Sequence, residues 1–243
     1  MDLRGATALI TGGAHRLGRA IGLHLAEAGA NVAFTYLSSA QAARDTQREL
    51  EQRGARVLAL RADAADDRQM AGVVERVRRH YGGIDLWVAN AGAFRRTPLE
   101  RATPADWDDM QRLNFETFLV PSRRIGALMR RQRHGSIVAL ADVAAHNPWA
   151  DYIPYCVAKR AVVGLAMQLA RTLAPAVRVN VIAPGPVLMP ADFPAAARRS
   201  EIRRTLLRRE GSAADVAGAV QYLAEADYVT GVVLPVDGGR RFG

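Results

Sequence analysis

ATALITGGAHRLGRAIGLHLAEAGANVAFTY, residues 6–36, decides the fold. A β-type run (6–11, ATALIT) enters a glycine-containing turn. Apolar residues then recur with helical period over 17–29, and a second β-type run, NVAFTY, occupies 31–36. A strand, a helix of this length and a strand make the crossover unit that joins two parallel strands. The turn, TGGAHRLG from Thr11 to Gly18, brings backbone N–H groups and a helix N-terminus to one point, where a pyrophosphate can be held. Tight turns need glycine anyway, so the turn gains its meaning from motifs further along the chain. Its expected phosphate contacts are Gly12, His15, Leu17 and Gly18. Arg16 stands where loops of this type often have their middle glycine; a guanidinium there can clamp phosphate oxygens directly.

The same alternation continues along the chain. Further strands are expected at 55–60, 84–89, 135–140, 177–183 and 231–236, and further helices near 40–53, 66–80, 104–132, 154–174 and 213–224. Mostly apolar strands separated by helices imply a parallel sheet covered on both faces. The expectation is one Rossmann-type, doubly wound α/β domain over residues 1–243, with a seven-stranded parallel sheet. No linker-like or repetitive stretch divides it, and 243 residues suit one such domain.

Composition narrows the classes. Apolar residues form 49% of the chain, enough for a large core, yet no apolar run approaches a membrane span. The chain enters RGATALITGG with no charged-then-apolar leader, and its single cysteine, Cys156, allows no internal disulfide, so a cytoplasmic address is expected. Cys156 has no basic partner in sequence and reads as a packing residue. The net charge of +9 raises nucleic acid as a partner. The arginines are dispersed in pairs, such as Arg78-Arg79 and Arg130-Arg131, without a basic tail or aromatic-studded strip. Neither nucleic acid, membrane nor metal is therefore expected as a partner.

The chemistry concentrates in SIVALADVAAHNPWADYIPYCVAK, residues 136–159. The chain has 33 Lys and Arg residues together, and Lys159 is its single lysine. It falls four residues after Tyr155, so on a helix the two share a face. A nearby cation favours the phenolate and is expected to lower the tyrosine pKa. A compact ammonium also donates several hydrogen bonds to sugar hydroxyls. Upstream, strand two ends at Tyr36-Leu37-Ser38-Ser39 without the acidic residue an NAD site uses for its ribose. Tyr36 would line the site, and Ser38 and Ser39 can donate to a 2′-phosphate, so NADP (as NADPH) is the expected cofactor. Asp63 with Ala64 follows strand three at the adenine end. Asn90, Ala91 and Gly92 follow strand four with small side chains that permit close approach. Asn114 sits within an apolar helix, where an amide is locally unfavourable and a buried polar task is expected.

Taken together, these residues resemble the short-chain dehydrogenase/reductase family. The motifs are T-G-x-x-x-x-x-G at 11–18, Asp63, N-A-G at 90–92, Asn114, Y-x-x-x-K at 155–159, P-G at 184–185 and VTGVVLPVDGG at 229–239. The resemblance implies hydride transfer between a nicotinamide and a carbonyl, alcohol or imine-type bond. Tyr155 would be the acid/base. Lys159 would bind the nicotinamide ribose, Asn114 would hold a proton-relay water, and Pro184, Gly185 and Val187 would line the nicotinamide. Homodimers or homotetramers built on the long helices are usual in the family.

One departure is informative. The family commonly has a serine thirteen residues before the tyrosine, and here that position is Asp142. An aspartate accepts hydrogen bonds from N–H groups when ionised and donates when burial keeps it protonated, which suits a nitrogen heterocycle. Asp142 with Arg16 resembles the pteridine reductase branch, where the arginine contacts cofactor phosphate and substrate and the aspartate partners the tyrosine. Phe94 matches that branch's aromatic, which stacks on the pterin ring. Ser38 stands where the branch often has an arginine, and Gly92 and Ala93 stand where it has serines.

Leu188 and Met189 are further expected substrate contacts, with His146, Trp149, Tyr152 and Phe193 nearby. Residues 186–210, rich in proline, alanine and arginine, read as a substrate lid. The expected function is an NADPH-dependent reductase of a pterin-type ring. The alternatives are a carbonyl or 3-oxoacyl thioester reductase and, in another class, a dinucleotide-binding regulator without catalysis.

Overall fold

A computed structural model describes residues 1–190 and 193–243. Residues 191–192 of the expected lid lie outside the described residues. Seven strands pair in parallel: β1 (Thr7–Thr11), β2 (Asn31–Tyr36), β3 (Val57–Arg61), β4 (Leu86–Ala89), β5 (Ser136–Leu140), β6 (Arg178–Pro184) and β7 (Val233–Val236). Their spatial order is β3-β2-β1-β4-β5-β6-β7. The order reverses between β1 and β4, which register Ala8 opposite Leu86 and Thr11 opposite Ala89. A doubly wound sheet has its ligand crevice at that reversal, beyond the carboxyl ends of the strands.

Both faces of the sheet are covered, which is why the central strands read as continuous apolar runs rather than alternating ones. All five residues of β5 are buried. Ile137 and Ala139 point into one layer, with Trp87, Phe118 and Val162. Val138 and Leu140 point into the other, with Phe34, Ile21 and Val220. Helices α1 (Arg16–Glu27), α2 (Ala40–Gln52) and α8 (Ala213–Glu225) supply the second layer. The first is covered by α3 (Asp67–Tyr81), α5 (Thr117–Gln132) and α6 (Ile153–Leu173).

Two helical expectations change. The stretch 104–132 is helical throughout but not uniform. α4 (Pro104–Gln111) passes through a π-helical turn at Arg112–Glu116 before α5 begins. Such wide turns displace a residue out of helical register and often sit at functional sites, and here the turn holds Asn114. Inside the lid stretch, α7 (Ala195–Arg204) forms although its sequence offers no apolar stripe, and none of its residues is buried. Among the described residues, no helix is long and apolar enough to cross a membrane.

Candidate active site

The glycine turn after β1 forms the first wall of the crevice. Gly12 has φ +70°, and a side chain at Gly18 would place its Cβ 2.3 Å from the Gly12 carbonyl oxygen. The start of α1 therefore lies directly on the turn, which only glycine permits. Thr35 and Asn90 fix the turn in place. The Gly12 N–H donates to Thr35 Oγ1 at 3.2 Å, and Asn90 Nδ2 donates to the carbonyls of Thr11 and Gly12 at 3.1 and 3.0 Å.

A cavity of about 290 Å³ opens beside it. Gly12, His15, Arg16, Leu17 and Gly18 line one end; Tyr36, Ser38, Ser39, Asp63 and Ala64 line the other; Asn90, Ala91 and Gly92 lie between. An elongated cradle of backbone N–H groups, small residues and hydroxyls, with no room for a Cβ at its centre, fits a dinucleotide. Leu113, within the π turn, and Thr117, just after it, also line it, and neither stood out in sequence. Asp63 does not stand free: its Oδ2 accepts from Arg112 at 2.5 Å and its Oδ1 caps the Ala65 N–H. Arg61 pairs with Tyr36 in the β2–β3 register, and its Nε donates to the Leu37 carbonyl at 3.1 Å. A cation thus lies beside the Tyr36–Ser39 turn although Ser38 is not one.

Helix α6 carries the reactive pair. Tyr155 and Lys159 are both buried, at 5% and 6% exposure, and Lys159 Nζ lies 5.8 Å from the Tyr155 ring centroid. Nζ donates to the Leu140 carbonyl at 3.0 Å. Asn114 is buried too. Its Oδ1 accepts from the Ala93 N–H at 3.2 Å, and its Nδ2 donates to the Met110 carbonyl at 3.3 Å. A Cβ on Gly92 would fall 2.9 Å from that Oδ1 and 3.4 Å from Lys159 Nζ, so the N-A-G stretch closes over both residues.

Asp142 is the centre of this cluster. Its Oδ1 accepts from the Ala144 N–H at 2.8 Å, and its Oδ2 accepts from the Tyr155 hydroxyl at 2.8 Å. Burial pushes the Asp142 carboxyl above the ordinary carboxylate range, opposed by these two hydrogen bonds and by the charges of Lys159 and Arg240. Burial also pushes Lys159 down to about 8, against the pull of Asp142. The expectation for Tyr155 is overturned. Burial, and then the adjacent Asp142 carboxylate, hold its phenol well above the ordinary tyrosine range. The cation expected to lower it lies over the ring, 5.8 Å from its centroid, whereas a carboxyl group touches the hydroxyl.

A second cleft of about 640 Å³ opens on this cluster. The six expected substrate contacts, Arg16, Phe94, Asp142, Tyr155, Leu188 and Met189, all line it. Arg16 lines both cavities; its guanidinium donates to the Leu188 carbonyl, and both residues have positive φ, 50° and 49°. Phe94 is 40% exposed and stacks on Tyr152 with centroids 4.6 Å apart and planes 16° apart. The edges of Trp149 and Tyr155 meet it at 6.0 and 5.1 Å. Gly185, Val187 and Phe193 also border the cleft, while Pro184 is buried at the end of β6 and His146 is exposed away from it. Cys156 is buried with its thiol pKa raised by burial, and it accepts from the Trp149 N–H at 3.5 Å. It does not face the cleft. Sequence reasoning missed Glu201 and Arg240, which line the outer end.

The family model described as Enoyl-(Acyl carrier protein) reductase matches residues 12–241. This chain belongs to the short-chain dehydrogenase/reductase family. It is 32% identical to 3beta-hydroxysteroid dehydrogenase 1 of Eggerthella lenta, over 98% of this chain and 94% of that protein. It is 33% identical to the 3-oxoacyl-[acyl-carrier-protein] reductase FabG of Staphylococcus aureus, over 96% of this chain and 97% of that one. Among solved structures, a blue fluorescent protein from a metagenomic library, in complex with NADPH, superposes with a TM-score of 0.90. The identity to it is 33%, over 99% of each chain. A short-chain oxidoreductase of this family acts on a small molecule, and the cradle and the cleft meet at Arg16 as such a reaction requires.

Proposed function

We propose that this short-chain dehydrogenase/reductase is an NADPH-dependent reductase of a pterin-type ring. The observation that carries the reading is the Tyr155–Asp142 hydrogen bond of 2.8 Å, facing a cleft walled by Phe94. NADPH, when bound, would supply the hydride. The glycine turn with Arg16 would hold its pyrophosphate, the Lys159 ammonium its nicotinamide ribose, and Ser38, Ser39 and Arg61 its 2′-phosphate. The NADPH complex of a structural relative supports the choice of nucleotide.

The protein's own groups then act on the ring. Phe94, backed by Tyr152, offers a flat apolar face for a heterocycle. Asp142 accepts hydrogen bonds from ring N–H groups when ionised and gives one when protonated. Tyr155 would give a ring nitrogen the proton it now shares with Asp142 Oδ2, leaving a phenolate near the Lys159 ammonium. Asn114 holds the Ala93 N–H, next to Phe94 in the chain, at 3.2 Å. A ketone needs only one neutral donor at its oxygen, so a buried carboxyl here favours nitrogen chemistry. Roles for a homodimer or homotetramer belong to the same proposal, with Leu119 on α5 and Val157 on α6 exposed at 40% and 44% as contact points.

Resemblance to the 3-oxoacyl reductase supports a second reading, in which the substrate is a 3-oxoacyl thioester or another ketone. Following NADPH oxidation with dihydrobiopterin, dihydrofolate and a 3-oxoacyl thioester, for the natural chain and Asp142→Ser, separates the two. Pterin turnover that falls at least about a hundredfold in the variant supports the first reading. Thioester turnover that the serine leaves intact or improves, with no pterin turnover, establishes the second.

A further inference from the structure

Helix α7 forms the outer end of the substrate cleft, where Glu201 and Arg204 line it. Helices usually dock through an apolar face, yet α7 buries none of its ten residues. Charged side chains supply much of its attachment. In its first half Arg198 pairs with Glu210 at 2.8 Å, and its Nη2 reaches the Pro190 carbonyl at 3.2 Å. One turn further on, Glu201 Oε2 accepts from Arg240 Nε at 2.7 Å.

The two attachments differ in kind. The Arg198 side chain is 34% exposed, whereas that of Arg240 is 4% exposed. Arg240 belongs to the turn after β7, which Asp237 organises by accepting from the N–H groups of Gly239 and Arg241 at 2.9 and 3.0 Å. Its Nη1 donates to the Gly243 carbonyl at 2.8 Å. The turn is tied across the cleft as well, through Asn147 Nδ2 to the Arg241 carbonyl at 2.5 Å. A shielded guanidinium must keep its partner, because an unpaired buried charge is strongly unfavourable. An exposed pair contributes little.

We propose that Arg240 is a positioning residue for substrate: through its shielded ion pair with Glu201 it holds helix α7 in place as the outer wall of the cleft. The inference rests on the reading that this cleft takes the substrate, but not on which substrate that is. Arg240 touches no reacting atom. It acts on substrate affinity through α7.

Trypsin tests it directly, since α7 contains Arg198, Arg199, Arg203 and Arg204. Cleavage within α7 is timed for the natural chain, Glu201→Gln and the conservative Arg240→Lys, beside melting temperature, NADPH affinity, KM and kcat. The expected result for Glu201→Gln is cleavage and a substrate KM each raised about tenfold. NADPH affinity and kcat should stay within about twofold, and Arg240→Lys should fall between the two. Unchanged cleavage in Glu201→Gln overturns the proposal. So does a loss in which KM, kcat, NADPH affinity and melting temperature move together, which would mark a general structural role. The cleavage rate needs no substrate, so a failure of the pterin reading leaves this test intact.

Discussion

Tyr155→Phe removes one oxygen from the centre of the site. In the folded chain that hydroxyl donates to Asp142 Oδ2 at 2.8 Å, with Tyr155 buried and Asp142 half-buried in the cleft wall. The other carboxylate oxygen keeps its bond to the Ala144 N–H, so Oδ2 alone loses its donor. A hydrogen bond to a charged group contributes about 1.5–3 kcal/mol. For a chain of this size, the loss lowers the melting temperature by about 3–12 °C.

The pH dependence has a definite sign. Burial raises the Asp142 carboxyl above its ordinary value of 3.8. The carboxyl is therefore neutral in the folded chain at low pH and ionises only above that value. The Tyr155→Phe deficit should be full above the raised Asp142 pKa and shrink, as pH falls through it, to that of a neutral hydrogen bond, about 1 kcal/mol. Asp142→Asn should stabilise at neutral pH, because it removes a carboxyl that ionises more readily unfolded than folded, and the gain should vanish in acid. The assay is thermal unfolding of the natural chain, both single variants and the double variant across pH. A coupling energy below about 0.5 kcal/mol between the two positions, or a deficit independent of pH, would refute the assignment of charge to this pair. Tyr155→Phe should also abolish turnover, since it removes the proton donor bonded to Asp142.

The cofactor cradle yields two further expected outcomes. Gly18→Ala sets a methyl 2.3 Å from the Gly12 carbonyl oxygen and 2.6 Å from Asn90 Nδ2. The turn must move, and NADPH affinity, measured by nucleotide fluorescence, should fall at least about tenfold while circular dichroism stays native; unaltered affinity would mean that the turn does not hold the nucleotide. Lys159 is pushed down to about 8, so its ammonium is present below that pH and lost as pH rises through it. NADPH affinity should decline through the same window, and in Lys159→Arg, whose guanidinium keeps its charge, the decline should disappear. A flat profile for the natural chain between about pH 6 and about pH 10 would remove Lys159 from the ribose.

The sequence by itself determined the order of strands and helices. Apolar periodicity is local, and a sheet covered on both faces forces long apolar runs that few other folds produce. β2 lies at Asn31–Tyr36, as its apolar run predicts. Tyr155 and Lys159 were legible for the same reason: four residues on a helix always share a face. Only the tertiary structure decided what those side chains meet. Asp142 stands thirteen residues from Tyr155, on a different element, and its contact with the phenol arises from the way β5 and α6 pack. Burial of the phenol, and after it that contact, reversed the expected direction of the tyrosine pKa. The π turn that buries Asn114, and the pairing of Glu201 with Arg240 across 39 residues, arise from long-range packing. Periodicity carries no record of either.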